Sequence, residues 1–130
     1  GSPPMNLLPG REQMHEGQRQ FVGPATISLD TLPARPGGDG TLTLGIRPEN
    51  VELTSAGEAG AIPGHVDLVE AVGADSFLAV ALGDGATMMV RVAADSPLRE
   101  GNTVYLRLPP HRLQLFDATG TRITRQGELG

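Results

Sequence analysis

The stretch TLTLGIRPENVEL at residues 41–53 recurs without a gap as TVYLRLPPHRLQL at residues 103–115. In each copy, apolar side chains alternate with other residues, a proline interrupts the run, and a second alternating run follows. A period of two is typical of a strand with one buried face, and proline ends such a strand because it has no N–H to donate. The second runs are expected to bury Val51, Leu53, Leu113 and Leu115. Since two copies are too few for a solenoid, the repeat predicts an all-β fold, a small barrel built from two related halves.

The composition fits one β-rich domain. The 130 residues include 18 Gly and 11 Pro, which interrupt the chain too often for long helices. No apolar run approaches the roughly 20 residues that cross a bilayer as a helix, so we expect no direct membrane insertion. The chain has no cysteine, which excludes a disulfide framework and a thiolate metal site.

The charged residues exclude several functions. The net charge is −5, and all ten basic residues are arginine. A P-loop requires a lysine at the nucleotide phosphates and Schiff-base chemistry requires a lysine amine, so both are excluded. The arginines are scattered singly and aromatic residues are few, which argues against a nucleic-acid partner.

The other strands are expected where alternating apolar runs are separated by turn residues. These runs lie at residues 18–22, 25–29, 65–72, 77–82 and 86–92. The triplet Gly83-Asp84-Gly85 predicts a tight hairpin turn before the last of them. The proline-rich residues 1–10 are expected to form a linker, and residues 33–40 an exposed loop.

Few residues suggest catalysis or metal binding. The three histidines, His15, His65 and His111, form no HxH or HxxxH pair, so each is more typical of a solvated loop than of a metal ligand. Four acidic residues either pair across strands as an acid and a base or lie on solvated faces: Glu49, Glu52, Asp67 and Glu70. We therefore predict no catalytic residue, no metal and no cofactor in this chain.

Four motifs in this chain resemble one protein family. They are GSPPMNLLPG at 1–10, GIRPENVEL at 45–53, HVDLVEAVGADSFLAVAL at 65–82 and LPPHRLQLFDATGTRI at 108–123. In this order and spacing they resemble the C-terminal region of the ATP-binding subunits of bacterial sugar importers. Those subunits belong to the maltose and glycerol-3-phosphate class of ABC transporter.

The resemblance implies an OB-like regulatory barrel of the transport-associated (TOBE) type at residues 11–130. Residues 1–10 would then lead from a missing nucleotide-binding domain. The P-loop, signature motif and Walker B carboxylates of that domain have no counterpart here, so the chain itself is not expected to be an enzyme. ATP and Mg²⁺ are implied only for the missing domain. The resemblance also implies a cytoplasmic location, peripheral on the inner face of the cell membrane.

The resemblance implies four partners, namely a second copy of the chain, its own ATPase domain, the membrane subunits of the transporter and, in some members, a regulatory protein. Contact with the second copy would hold the two ATPase halves together while their nucleotide sites open and close. We predict the dimer or regulator contact beside the two proline stops, at Arg47, Glu49, His111, Arg112 and Phe116. Phe116 is expected to anchor that contact or to fill the core. Arg47 and Glu49 are expected to form an ion pair that fixes the turn or to touch a partner.

Two other functions compete with this interpretation. A barrel that binds small oxyanions of the molybdate type would need a nest of backbone N–H groups, and residues 73–76 are the only stretch that resembles one. Glycine and aspartate there are also typical of an ordinary turn. A free-standing OB-type nucleic-acid binder is disfavoured by the acidic net charge and the few aromatic residues.

Overall fold

The computed structural model describes residues 3–34 and 38–124. Over these residues the chain forms eleven strands: β1 (Asn6–His15), β2 (Gln18–Val22), β3 (Thr26–Ser28), β4 (Thr41–Ile46), β5 (Glu52–Thr54), β6 (Ile62–Val72), β7 (Asp75–Ala81), β8 (Thr87–Ala93), β9 (Thr103–Arg107), β10 (Gln114–Phe116) and β11 (Arg122–Ile123). Two short 3-10 turns interrupt them, the first turn at Pro48–Asn50 and the second turn at Pro110–Arg112. The first sheet has the order β11-β10-β4-β1-β2-β3, and the second sheet has the order β5-β9-β6-β7-β8. The all-β prediction is confirmed.

The two repeat copies pair with each other reciprocally. Each copy places its first strand in one sheet and its second strand in the other, so that β4 pairs with β10 and β5 pairs with β9. In the repeat alignment Gly45 corresponds to Arg107 and Glu52 to Gln114. The observed pairs Gly45–Gln114 and Glu52–Arg107 are therefore the same pair seen from each copy. This pseudo-twofold relation confirms the prediction of two related halves.

The buried face of the repeat contributes side chains to the core, with one exception. Leu44, Leu106 and Leu115 are buried, as the alternation predicts. Leu53 was expected to be buried like its counterpart Leu115, but it is 44% exposed whereas Leu115 is 2% exposed. The difference follows from position, because β5 is the edge strand of the second sheet and β10 lies between two other strands.

The predicted linker at residues 1–10 is wrong for the part that forms β1. From Asn6 onward the chain pairs with β4, and Leu8 lies opposite Leu44 with only 2% of its surface exposed. Pro9 is tolerated in this strand because pairing with β2 begins only at Arg11. The missing N–H of the proline therefore leaves no gap in a ladder on that side. Residues 1–2 and 125–130, and residues 35–37 of the predicted loop at 33–40, lie outside the described residues.

The strands predicted in the middle of the chain form a meander of β6, β7 and β8 with boundaries shifted by one to three residues. The Gly83–Gly85 turn is confirmed by a hydrogen bond from the Leu82 backbone N–H to the Ala86 carbonyl oxygen at 2.8 Å. The register places Leu78 opposite Val90 and Val80 opposite Met88. All four of these side chains are buried, so the inner face of the meander closes the core.

The Asn6 side chain joins the first sheet to an edge strand of the second. Asn6 Nδ2 donates to the Met89 carbonyl oxygen at 2.9 Å, and the Met89 backbone N–H donates to Asn6 Oδ1 at 2.8 Å. Asn6 lies in β1 of the first sheet and Met89 in β8, the edge strand of the second sheet. The buried amide thus satisfies the two backbone groups that a neighbouring strand would otherwise satisfy.

Candidate interaction surface

Each 3-10 turn lies in the middle of one repeat copy, between its first and second strands. The backbone N–H of Asn50 donates to the Arg47 carbonyl oxygen at 2.9 Å in the first turn, and the N–H of Arg112 donates to the Pro109 carbonyl oxygen at 3.0 Å in the second. These two bonds are equivalent in the repeat. The ladder between β4 and β10 ends at Gly45–Gln114, so the chain enters the first turn and leaves the second from neighbouring positions.

Four of the five predicted contact residues are exposed on these turns: Arg47, Glu49, His111 and Arg112. Among the described residues, no side-chain hydrogen bond or ion pair joins any two of the five. The ion pair predicted between Arg47 and Glu49 is therefore wrong. The turn is held instead by its backbone hydrogen bond and by the buried ring of Pro48. The guanidinium and the carboxylate remain available to a partner.

The fifth residue, Phe116, does not fill the core. It lies half-buried on the outer face of the first sheet, where its ring covers Gly45. A Cβ atom built on Gly45 would lie 3.0 Å from Phe116 Cε2 and 2.7 Å from Met5 Sδ. A glycine at this position therefore lets Met5, Leu7 and Phe116 pack onto the outside of the sheet, where Leu7 stays 58% exposed.

The charged residues that do pair are elsewhere. Arg107 Nε donates to Glu52 Oε1 at 2.9 Å across β9 and β5. The Glu52 carboxylate is thus paired with an arginine and not with a second carboxylic acid. It therefore does not form the pair of acidic residues that would act as a general acid and a general base. Both side chains are 51% exposed, so the pair contributes less than about 1 kcal/mol.

A cleft of about 420 Å³ opens beside the second turn. Its wall is formed by Leu32 and Pro33 on one side and by His111 and Gln114 on the other. Arg19 holds the first side in place. Its Nη1 donates to the carbonyl oxygens of Leu29 at 3.1 Å and Leu32 at 2.9 Å, and its Nη2 donates to Pro33 at 3.2 Å. Sequence reasoning missed this role because Arg19 is one of ten scattered arginines with no motif around it.

We expect Arg19→Met to lower the free energy of unfolding by about 2 kcal/mol, because three carbonyl oxygens and Glu12 lose a charged donor. The matched control is Arg99→Met, since Arg99 also donates to two carbonyl oxygens but is exposed. The control should change stability by less than about 0.5 kcal/mol. Urea unfolding followed by circular dichroism measures both free energies, and equal losses would contradict the role of the half-buried Arg19 as a clamp.

Residues 3–34 and 38–124 contain no group of three metal-ligand side chains, and the three histidines lie on different elements. The pKa of the Asp39 carboxyl is lowered. The backbone N–H of Thr41, which donates to Asp39 Oδ1 at 2.8 Å, holds its pKa below the ordinary value of 3.8. That contact starts β4 and is structural.

The predicted anion nest at residues 73–76 is a hairpin turn in the structure. Val72 pairs with Asp75, so Gly73 and Ala74 alone connect β6 to β7. Gly73 has a φ of 64°, a value that favours glycine in such a two-residue turn. Among the described residues, no helix is long and apolar enough to cross a membrane.

Comparisons with known proteins agree with this architecture. A family model for the TOBE domain matches residues 44–116, and one for the MalK OB fold domain matches residues 1–51. The crystal structure of the cytoplasmic molybdate-binding protein ModG with molybdate bound superposes with a TM-score of 0.65, over 85% of this chain and 94% of that one. At 15% sequence identity that likeness shows the fold alone.

The similar curated proteins are longer than this chain. The sn-glycerol-3-phosphate import ATP-binding protein UgpC of Salmonella typhi is 39% identical over 125 residues, and that of Escherichia coli O1:K1 is 37% identical over 124 residues. Each alignment covers 95% of this chain but 34% of the relative, so the chain spans about a third of their length. The OB-like architecture is confirmed, and with more than half of its residues matched by the TOBE model, the chain belongs to the TOBE domain family.

Proposed function

We propose that this TOBE domain is the C-terminal regulatory domain of the ATP-binding subunit of a bacterial importer for carbohydrates or glycerol phosphates. The observation that supports this most strongly is the similarity to UgpC proteins over 95% of the chain. The chain itself is not an enzyme under this proposal and binds no cofactor. ATP and Mg²⁺ would belong to the other two-thirds of the subunit, which would work on the inner face of the cell membrane beside the transporter's membrane subunits.

The task of the domain is to keep two ATPase halves close to each other. Contact between two copies would raise the effective concentration of one half near the other, so that closure on ATP becomes an intramolecular event. Such a contact needs an exposed surface and no catalytic side chain. The exposed Arg47, Glu49, His111 and Arg112 on the two turns, with Phe116 nearby, would then be open to a regulatory protein.

The first test is the solution mass of the chain by light scattering from micromolar to millimolar concentration. We expect twice the monomer mass of 13.6 kDa, with the dimer fraction rising with concentration. A monomer throughout this range would contradict the tethering role and leave regulator docking as the task of the domain.

The oxyanion-binding alternative has less support. The ModG likeness concerns the fold, and the stretch that resembled an anion nest is an ordinary hairpin turn. Titration with molybdate in a calorimeter separates the two proposals, because a regulatory dimer domain gives no binding heat with this anion.

A further inference from the structure

The tripeptide Gly-Asp-Gly occurs twice in the chain, at residues 38–40 and at residues 83–85. In both copies an oxygen of the aspartate side chain accepts a hydrogen bond from the backbone N–H two residues further on, which belongs to Thr41 in the first copy and to Ala86 in the second. Each carboxyl group therefore lies beside the amide nitrogen of the glycine that follows it. Because the tripeptides are identical, a difference in their reactivity has to come from the fold.

An aspartate that precedes glycine can react with its own backbone, because glycine has no Cβ atom to obstruct the approach. The amide nitrogen of the glycine attacks the carboxyl carbon of the aspartate. The amide proton and the carboxyl hydroxyl leave together as water, and a succinimide ring closes. Water then opens the ring at either of its carbonyl carbons. Opening at one carbon restores aspartate, and opening at the other gives isoaspartate, in which the main chain runs through the side-chain carbons.

The first copy is held by three hydrogen bonds. Asp39 Oδ1 accepts from the Thr41 N–H at 2.8 Å, and the Asp39 carbonyl oxygen accepts from Arg11 Nη2 at 2.7 Å. The carbonyl oxygen of Gly40 accepts from the Glu12 N–H at 2.8 Å. The bond from the Thr41 N–H also lowers the pKa of the Asp39 carboxyl, so this group stays ionised. An ionised carboxylate has no hydroxyl to release, and turning it toward the glycine nitrogen would break its bond to Thr41.

The second copy forms hydrogen bonds only within its own hairpin, in the part of the chain that the structure describes. The Ala86 N–H donates to Asp84 Oδ1 at 3.3 Å, and the Gly85 N–H donates to the Leu82 carbonyl oxygen at 3.2 Å. Both bonds are long, so little is lost when they break. Asp84 is exposed, and a Cβ atom built on Gly83 or Gly85 would meet nothing within 4 Å. The carboxyl group and the glycine nitrogen can therefore approach each other without disturbing any other strand.

We propose that Asp84 is a modification site, at which the folded chain converts spontaneously to isoaspartate through a succinimide with Gly85. The same tripeptide at residues 38–40 is protected by its contacts with β1 and β4. Isoaspartate adds one carbon atom to the main chain, and this atom falls in the hairpin turn beyond the last ladder pair, Ala81–Thr87. The conversion therefore lengthens the turn and leaves the pairing of β7 with β8 intact. This modification does not depend on the proposed function.

Incubation in water enriched in heavy oxygen measures the reaction at each tripeptide. Whenever a succinimide opens, a heavy oxygen atom enters the aspartate or isoaspartate, so the mass of the proteolytic peptide rises. Fragmentation by electron transfer then locates the label and distinguishes isoaspartate from aspartate. The full chain is incubated folded at neutral pH and, in parallel, unfolded in guanidinium chloride.

We expect folding to slow the labelling of Asp39 by about tenfold or more, since one hydrogen bond to a charged group changes a rate by this factor. The labelling of Asp84 should proceed at nearly the same rate in the folded and in the unfolded chain, so isoaspartate should accumulate there. Equal slowing at both tripeptides overturns the proposal. An Asp84 that stays unlabelled in the folded chain, or is labelled more slowly than Asp39, overturns it as well.

Matched variants check that the label arises at Asp84 itself. Glutamate keeps the negative charge, but its longer side chain would have to close a larger ring, which forms far more slowly. We therefore expect Asp84→Glu to abolish isoaspartate in the folded chain and Asp39→Glu to leave it unchanged. Label that persists around residue 84 in Asp84→Glu contradicts the assignment, as does its loss in Asp39→Glu. Both side chains are exposed, so we expect both variants to fold, which thermal unfolding checks.

Discussion

Replacing Phe21 with alanine should lower the free energy of unfolding by about 4 kcal/mol. Phe21 in β2 is fully buried, and its ring occupies a space that two glycines shape. A Cβ atom built on Gly10 would lie 2.6 Å from Phe21 Cζ, and one on Gly23 would lie 2.9 Å from it. Because neither glycine has a side chain that could move into the vacated volume, the substitution leaves a cavity.

Urea unfolding monitored by circular dichroism measures this loss. The matched control is Phe116→Ala, which removes a half-buried ring from the outer face of the first sheet and should cost about 1 kcal/mol. If both substitutions lower the free energy of unfolding by the same amount, the Phe21 ring is not packed more tightly than the Phe116 ring.

The second large effect is expected at the seam between the sheets. Asn6→Ala should lower the free energy of unfolding by about 3 kcal/mol, because the N–H and the carbonyl oxygen of Met89 both lose their partner. The substitution also releases the edge of β8 from β1. We therefore expect the Met89 amide to exchange its hydrogen faster than the other amides of β8.

Hydrogen exchange followed by NMR tests this second effect at the residue itself. The control is Asn102→Ala, which removes an exposed acceptor from the Arg99 backbone N–H and should cost less than about 0.5 kcal/mol. An unchanged exchange rate of the Met89 backbone amide in Asn6→Ala would contradict this role. It would mean that a group other than the Asn6 side chain accepts the hydrogen bond from the Met89 N–H.

The repeat was the part of the fold that sequence could predict best. Alternation and proline positions are local properties, and they located β4, β9 and the two turns that follow them. The burial of Leu53 was wrong because an edge position depends on sheet order, which no local pattern contains. The whole of β1 was missed, and its first residues were predicted to be a linker because prolines usually mark linkers. Here the strand has no neighbour on one side at Pro9.

The contacts that decide the candidate surfaces were harder to predict. Arg47 and Glu49 looked like an ion pair because they are close in sequence, yet among the described residues they form none. Asn6 and Arg19 had no motif around them, since each acts on backbone groups far along the chain.

The reciprocal pairing of the two repeats means that the chain cannot be divided into independent halves. A cut in the exposed loop at residues 55–60 would separate β1 to β5 from β6 to β11. The first fragment would lack β10 and β11 from its sheet, and the second would lack β5 from the other. Each fragment therefore lacks strands that only the other fragment supplies. Folding through such distant contacts is intrinsically slow, and it makes the domain a natural candidate for reassembly from two separate polypeptides.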